Sequence, residues 1–323
     1  MADKYDDYLK FIDDALELAK AIPRYFSKFS NKIYCNHQKL AIYVLMQKFK
    51  TTTRGIVSML RASSDMRLML GLNRVPVHTT IVRFAARIKK IIGKLLGIRQ
   101  ATTVALDASG FELEAKSFYY RNIDIKHKNY QSKTKQYMKL SIAIDADKQL
   151  ILTHKIRKKL RNDTIDFRPL LEKLKVKYVL ADKGYDSKAN RLFVLCKLKA
   201  IPNIPYRRCS GITKLRGRNR AIFFDGKTYH QRSKVETVFS VIKRKYGSIL
   251  RSRSFATQKV ELISKLIAYN LDRNLNYLLL LIRGLHQSAI ILHCNVSGSY
   301  LTQKNLFFLS RWFIPISRFT IGA

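Results

Sequence analysis

Three carboxylates, far apart in the chain, carry the chemistry that this sequence offers. Asp107 closes the apolar run in "VALDASGFE", Asp182 closes the one in "YVLADKGYDS", and Glu236 stands alone inside the basic stretch "YHQRSKVETVFSVIKRKYG". Acids at the ends of apolar strands sit where ligands bind in open sheets with parallel strands. Gathered into one pocket, such groups repel one another, and divalent cations relieve the repulsion. Mg²⁺ prefers hard oxygen ligands and is usually held by one or two carboxylates together with phosphate and water. Two such ions about 3.5 to 4 Å apart activate a water or a 3′-hydroxyl and stabilise the leaving oxygen of a displacement at phosphorus. Taken alone, Glu236 has a plainer reading: on a helix it stands four residues after Arg232, and a surface ion pair of that kind contributes only about 0.3 to 0.5 kcal/mol.

The remaining acids near strands and helices have simpler explanations. Asp145 in "IAIDAD" lies between two strand-like runs and reads as a turn residue. Asp163 and Asp186 each precede a helical pattern and are placed as N-caps.

The elements that must position these acids follow from periodicity. Up to about residue 100 the chain reads as helical, and in "VHTTIVRFAARIKKIIGKLLG" the residues Ile81, Phe84, Ala85, Ile88, Ile92 and Leu95 form an amphipathic stripe. Arg83, Arg87, Lys90 and Lys94 lie elsewhere on that helix. They are either the base-reading face of a helix-turn-helix unit or a solvated face. From Ala101 the period changes: "TTVALDASGFE", "MKLSIAIDAD" and "QLILTHKIRK" predict three strands. A helix over "DTIDFRPLLEKLKV", a buried strand "KYVLAD", a helix "SKANRLFVLCKLK" and a strand "AIPNIP" complete the order β-β-β-α-β-α-β. That order implies an α/β fold with a mixed sheet flanked by helices. A basic loop over 207–226, the helix bearing Glu236, and a further amphipathic helix over 257–275 follow. We divide the chain into a helical DNA-binding region (1–100), a catalytic domain (101–283) and a tail (284–323) to which the sequence assigns no role.

Charge narrows the partner. The 323 residues hold 62 Lys and Arg against 22 Asp and Glu, a formal net charge of +40, and six of those acids fall within the first seventeen residues. Clustered cations of this excess gain affinity for polyanions by releasing counterions from phosphates, which points to nucleic acid. No uncharged apolar run of 18 residues occurs, Arg283 interrupting the longest, so no membrane partner is expected. The acidic, amphipathic start is unlike a signal peptide, and the expected location is the cytoplasm, on the nucleoid. Cys35, Cys196, Cys209 and Cys294 have neither disulfide nor zinc-site spacing.

At this point the sequence resembles the DDE transposases of bacterial and archaeal insertion sequences. Tyr229, Arg232, Glu236 and Lys243 reproduce that family's Y-x2-R-x3-E-x6-K signature, "ALDASGF" looks like its first aspartate strand, and "LADKGYDS" like its second. The resemblance covers roughly residues 31–275. It implies a ribonuclease-H-like fold in which Asp107, Asp182 and Glu236 hold two Mg²⁺ (or Mn²⁺) ions per active site, while Tyr229, Arg232 and Lys243 contact DNA. It further implies hydrolytic cleavage at terminal inverted repeats, attack of the freed 3′-hydroxyl on target DNA, and a homodimer on DNA. Two other readings compete: an inactive or domesticated DNA-binding derivative, and another nuclease of the same fold acting on branched DNA.

Overall fold

The computed structural model describes residues 2–96, 100–114, 137–158, 162–205 and 224–274. The basic loop expected over 207–226 falls almost wholly outside the described residues, and the tail 284–323 entirely so.

Five α-helices come first: α1 (Ala2–Ala19), α2 (Asn36–Lys48), α3 (Thr53–Ala62), α4 (Ser64–Met69) and α5 (His78–Ile88). Local chemistry sets their starts. The Cys35 thiol and the Gln38 side chain form a reciprocal capping box on α2, while Thr52 and Ser63 accept from backbone N–H groups at the starts of α3 and α4. The predicted stripe is buried at Ile81, Phe84, Ala85, Ile88 and Ile92. Its helix is shorter than expected, however, because after Ile88 the backbone tightens into i−3 bonds (Ile91 N–H to Ile88 O, Lys94 N–H to Ile91 O). Two β-branched residues followed by Gly93 are poor helix propagators, and Gly93 lies where any side chain would meet the ring of His154.

The sheet contains β1 (Gln100–Leu113), β2 (Tyr137–Asp145), β3 (Ile151–Arg157), β4 (Lys175–Leu180), β5 (Ile201–Asn203) and a short β6 (Ile249–Leu250). Its order is β3-β2-β1-β4-β5, with β6 against the far end of β1. β1, β2 and β3 pair antiparallel, whereas β4 runs parallel to β1 and β5 parallel to β4. This is the mixed α/β sheet that the order of predicted elements implies, in the ribonuclease-H-like arrangement that the family resemblance implies. Between the strands lie α6 (Thr164–Leu171) and α7 (Lys188–Leu192), the latter continued by a π-turn (Phe193–Lys197). After β5 come α8 (Gly226–Tyr229), a 3₁₀ turn (His230–Arg232), α9 (Ser233–Tyr246) and a helix over residues 255–274, α10. Gly247, at φ 89°, ends α9 in a conformation that favours glycine.

Three expectations about acids meet the structure differently. Asp145 is a turn residue: its Oδ1 accepts from the N–H groups of Asp147 and Lys148 at 2.8 and 3.1 Å. Asp163 occupies the N-cap position of α6, but its side chain makes no capping hydrogen bond there and its carboxylate forms an ion pair with Lys139 on β2. Asp186 does not cap α7 either. Ser187 takes that position, accepting from Asn190 N–H, and Asp186 pairs with Arg191 at 2.9 Å. A short-range signal for an N-cap was in both cases overridden by a nearby cation.

Two apolar cores lie on opposite faces of the sheet. One holds Val104, Leu106, Val179, Phe167, Leu170 and Val194, against α6 and the 188–197 segment. The other is continuous from α1, α2 and α5 through Ala105, Phe111, Ile142 and Leu180 to Val235, Val238 and Ile242 of α9 and Leu266 of α10. Within it sits a charged cluster: Asp272 of α10 is 4% exposed and pairs with Lys48 of α2 and, at 2.6 Å, with Lys245 of α9, while the Tyr246 hydroxyl donates to it. Burial alone would raise the Asp272 carboxyl, but hydrogen bonds from Lys245, Lys48 and Tyr246 hold it below the ordinary carboxylate range.

Removing one partner of a buried ion pair leaves the other charge uncompensated. Asp272→Asn is therefore expected to destabilise the protein by about 3 to 5 kcal/mol at neutral pH, read from urea unfolding. Because the folded-state value is depressed, the stability this carboxylate contributes is present above the unfolded value of 3.8 and is lost as pH falls through the lower folded value. The variant's unfolding midpoint is expected to show less acid dependence in that range; an unchanged profile would remove Asp272 from the linkage.

Candidate active site

The parallel register of β1 and β4 brings the first two acids together. Ala105 pairs with Leu180, the last residue of β4. Asp107 and Asp182 each lie two residues beyond that pair, past the carboxyl end of the parallel ladder, where the diverging backbones open a crevice. Asp107 accepts from the N–H of Ala108 at 2.8 Å, and Asp182 caps a 3₁₀ turn by accepting from Lys183 N–H at 2.7 Å. Both carboxylates are thus oriented by the backbone next to them.

The third acid arrives on α9. By strand alternation Ala105, Asp107, Ser109 and Phe111 share one face of β1, and Ala105 and Phe111 belong to the same core as Val235, Val238 and Ile242. Burying that stripe lays α9 along the face and leaves Glu236 exposed beside Asp107. The guanidinium of Arg232 lies between the two acids, 2.7 Å from Glu236 and 3.9 Å from Asp107. It also lies 5.9 Å from the centre of the Tyr229 ring, which in turn packs on Phe224 at 5.2 Å. At the other end of α9, Lys243 donates to Ser109 Oγ at 2.7 Å and stands 5.5 Å from the Phe111 ring.

Electrostatics record the same convergence. Burial pushes the Asp107 carboxyl above the ordinary range, and the charges of Glu236 and Asp182 push it the same way, opposed by the Ala108 N–H and by Arg232. Burial also raises the Tyr229 hydroxyl, with Asp182 and Glu236 adding to the rise against Arg232. Beneath the site, Tyr185 is 1% exposed, and burial together with Asp163 and Asp107 strongly disfavours its phenolate.

The donors are hard oxygens of the kind that hold Mg²⁺ or Mn²⁺. Among the described residues, no three Asp, Glu, His or Cys side chains stand close enough to grip a single ion. Arg232 lies between two of the acids, bonded to Glu236 at 2.7 Å and 3.9 Å from Asp107. The residues fit a divalent ion in kind.

Of the residues read from the sequence, the structure brings Asp107, Asp182, Glu236, Tyr229 and Arg232 into one neighbourhood and places Lys243 at the other end of α9, on Ser109. Arg83, Arg87 and Lys90 lie apart on and after α5, all exposed. Sequence reasoning missed Ser109 and Tyr185. Ser109 had a readable signal, since it stands two residues from Asp107 and period-2 alternation puts both on one face. Tyr185 had none, because its burial against Phe167 at 5.9 Å is a tertiary contact.

An α/β sheet of this order, with acids side by side past its parallel strands and a third on a covering helix, defines a ribonuclease-H-like domain with a carboxylate site. Residues 98–271, more than half of the chain, match the family described as transposase DDE domain, and the chain belongs to that family. No curated protein is matched. Among solved structures the chain is similar to a piggyBac transposase, seen by cryo-EM in a synaptic complex with hairpin DNA. The identity is 9% over 97% of this chain and 84% of that one, with a TM-score of 0.43. Among the described residues no helix is long and apolar enough to cross a membrane.

Arg232→Gln removes the one cation that lowers Asp107 from the side of α9. The Asp107 carboxyl is expected to titrate at higher pH in that variant, followed by carbon NMR of labelled aspartate; a downward shift would show that the guanidinium does not stabilise the carboxylate.

Proposed function

We propose that this transposase cuts DNA at the terminal inverted repeats of an insertion sequence and joins the freed 3′ ends to target DNA, with Asp107, Asp182 and Glu236 as its catalytic residues. The observation that supports this reading most is the meeting of Asp107 and Glu236 on one guanidinium, with Asp182 in register beside Asp107. Divalent cations, Mg²⁺ or Mn²⁺ and two per site, would supply activation of the attacking oxygen and stabilisation of the leaving one.

The chain's own residues do the rest. Asp107 and Asp182, set by backbone hydrogen bonds, offer fixed oxygens on the sheet. Glu236 closes the set from the helix once Arg232 releases it. Arg232 is the group best placed to take a DNA phosphate instead, because a guanidinium binds phosphate and carboxylate in the same forked geometry. Tyr229 presents a ring beside the strand being cut, and Lys243 leaves Ser109 to hold a phosphate farther along. The helical region 1–100 adds DNA contacts through Arg83, Arg87 and Lys90, and the domain 101–283 performs the chemistry. Two element ends are brought together by a homodimer on DNA, in the cytoplasm and on the nucleoid. The net charge of +40 suits such a partner.

The test uses the purified full chain, Mg²⁺, and DNA carrying the element's own ends. Glu236→Gln is expected to bind this DNA as the parent does while nicking it about 10³-fold more slowly, the rate equivalent of some 4 kcal/mol of lost charge stabilisation. Asp107→Asn and Asp182→Asn are expected to behave alike. Equal nicking by the Glu236 variant would remove that residue from the mechanism and leave a DNA-binding derivative as the better reading.

A further inference from the structure

A second feature of the described residues lies beyond the carboxylates. A cleft of about 1040 Å³ opens between α2, α3 and α5 on one side and the end of α9, β6 and the start of α10 on the other. Its walls carry Lys50, Arg54, Arg83, Lys243 and Arg253. The two acids that also line it are engaged: Glu261 accepts from the backbone N–H groups of Arg251 and Ser252 at 3.0 and 2.8 Å, and Glu114 lies 3.7 Å from Arg251. Among the described residues, Lys50, Arg54, Arg83 and Arg253 have no carboxylate partner.

These cations repel one another across a concave surface, and their placement adds to the strain. Arg54 stands in the first turn of α3, the end of a helix that favours anions, and neither α3 nor α5 has an acid in its first turn. The first turns of α3, α5 and α10 all line the cleft. Charge of one sign, gathered in a cavity and facing helix starts, is relieved by an anion.

Lys243 joins the cleft to the site. It lines the cleft while its ammonium reaches Ser109, two residues from Asp107 on β1. Glu236 and Lys243 are seven residues apart on α9, or about 10 Å along the helix axis. At about 3.4 Å per nucleotide along one strand, that is about three nucleotides.

We infer that this cleft holds the phosphodiester backbone of DNA about three nucleotides from the bond to be cut, with Arg54, Arg83 and Arg253 as phosphate contacts. The inference rests on the proposed function for the position of the cut, and assigns Arg83 to this cleft and not to a base-reading helix. Phosphate contacts of this kind bind by charge, independently of sequence.

The experiment measures binding of the full chain to a labelled 20-base-pair duplex of arbitrary sequence, in EDTA, from 50 to 200 mM NaCl. Replacing all three arginines (R54Q, R83Q, R253Q) is expected to weaken binding at least tenfold and to make the slope of log K against log salt shallower by about 2 to 3, near 0.9 per lost phosphate. A control with the same loss of charge on exposed lysines outside the cleft (K173Q, K175Q, K188Q) is expected to leave the slope within about half a unit of the parent's. An unchanged slope in the cleft variant, or an equal change in the control, would overturn the inference. Should the triple variant fail to fold, each single replacement is expected to reduce the slope by about 0.9, and three unchanged slopes would be equally decisive. Because no strand is cut in EDTA, a negative result here leaves the catalytic reading standing, and nicking by the Glu236 variant would strike only that reading.

Discussion

The guanidinium of Arg232, held between Glu236 on α9 and Asp107 on β1, is the interaction on which the rest of the site turns. Carboxylates brought to within about 4 Å of one another would repel by about 4 kcal/mol per pair at an effective dielectric near 20, and a cation offsets that repulsion. Arg232 meets that need from within the chain, bound closely to Glu236 and more loosely to Asp107. The consequence is that Glu236 is bonded to a cation beside Asp107. A guanidinium is suited to this double role because it pairs with carboxylate and phosphate alike. In the proposed reaction, a phosphate would give Arg232 another partner and free Glu236.

The packing exists to hold α9 in that relation to β1. Its buried stripe of Val235, Val238, Ile242 and Tyr246 determines which face Glu236 occupies. Its carboxyl end is gripped by Asp272, which also binds Lys48 of the amino-terminal helices. Lys265 adds two bonds from α10 to the carbonyls of Gly247 and Ile249, each 2.8 Å, just where α9 turns into β6. The amino-terminal helices are therefore bonded to the helix that carries Glu236 and share one apolar core with it.

Much of this was legible from residue order because the signals were local. β1 and β2 alternate or run apolar over nine residues or more, and α9 repeats valine and isoleucine at helical spacing. Asp107 closes an apolar run but not its strand, because β1 continues to Leu113 by pairing with β2 and β6. What escaped was set by partners distant in sequence. Asp163 and Asp186 look like N-caps to any local rule, yet Lys139 arrives on a neighbouring strand and Arg191 reaches back from α7. Lys243 was recognisable by its signature spacing, while its contact with Ser109 joins residues 134 positions apart in the chain.

The same contrast governs the charge. A net charge of +40 says that the chain binds an anion and says nothing of where, since basic residues occur throughout. Pairing supplies the missing information. Lys48, Lys139, Arg157 and Arg191 each meet a carboxylate and serve the fold. In a chain with so few acids the cations left over outnumber the paired ones, and exposed lysines scattered over convex surface are simply solvated. Those facing one another across a cavity cannot dilute their field in the same way, because low-dielectric walls focus it. The functional part of a strongly basic surface is thus the part where unpaired cations are concave, and here that part begins at the last turn of the helix that carries Glu236.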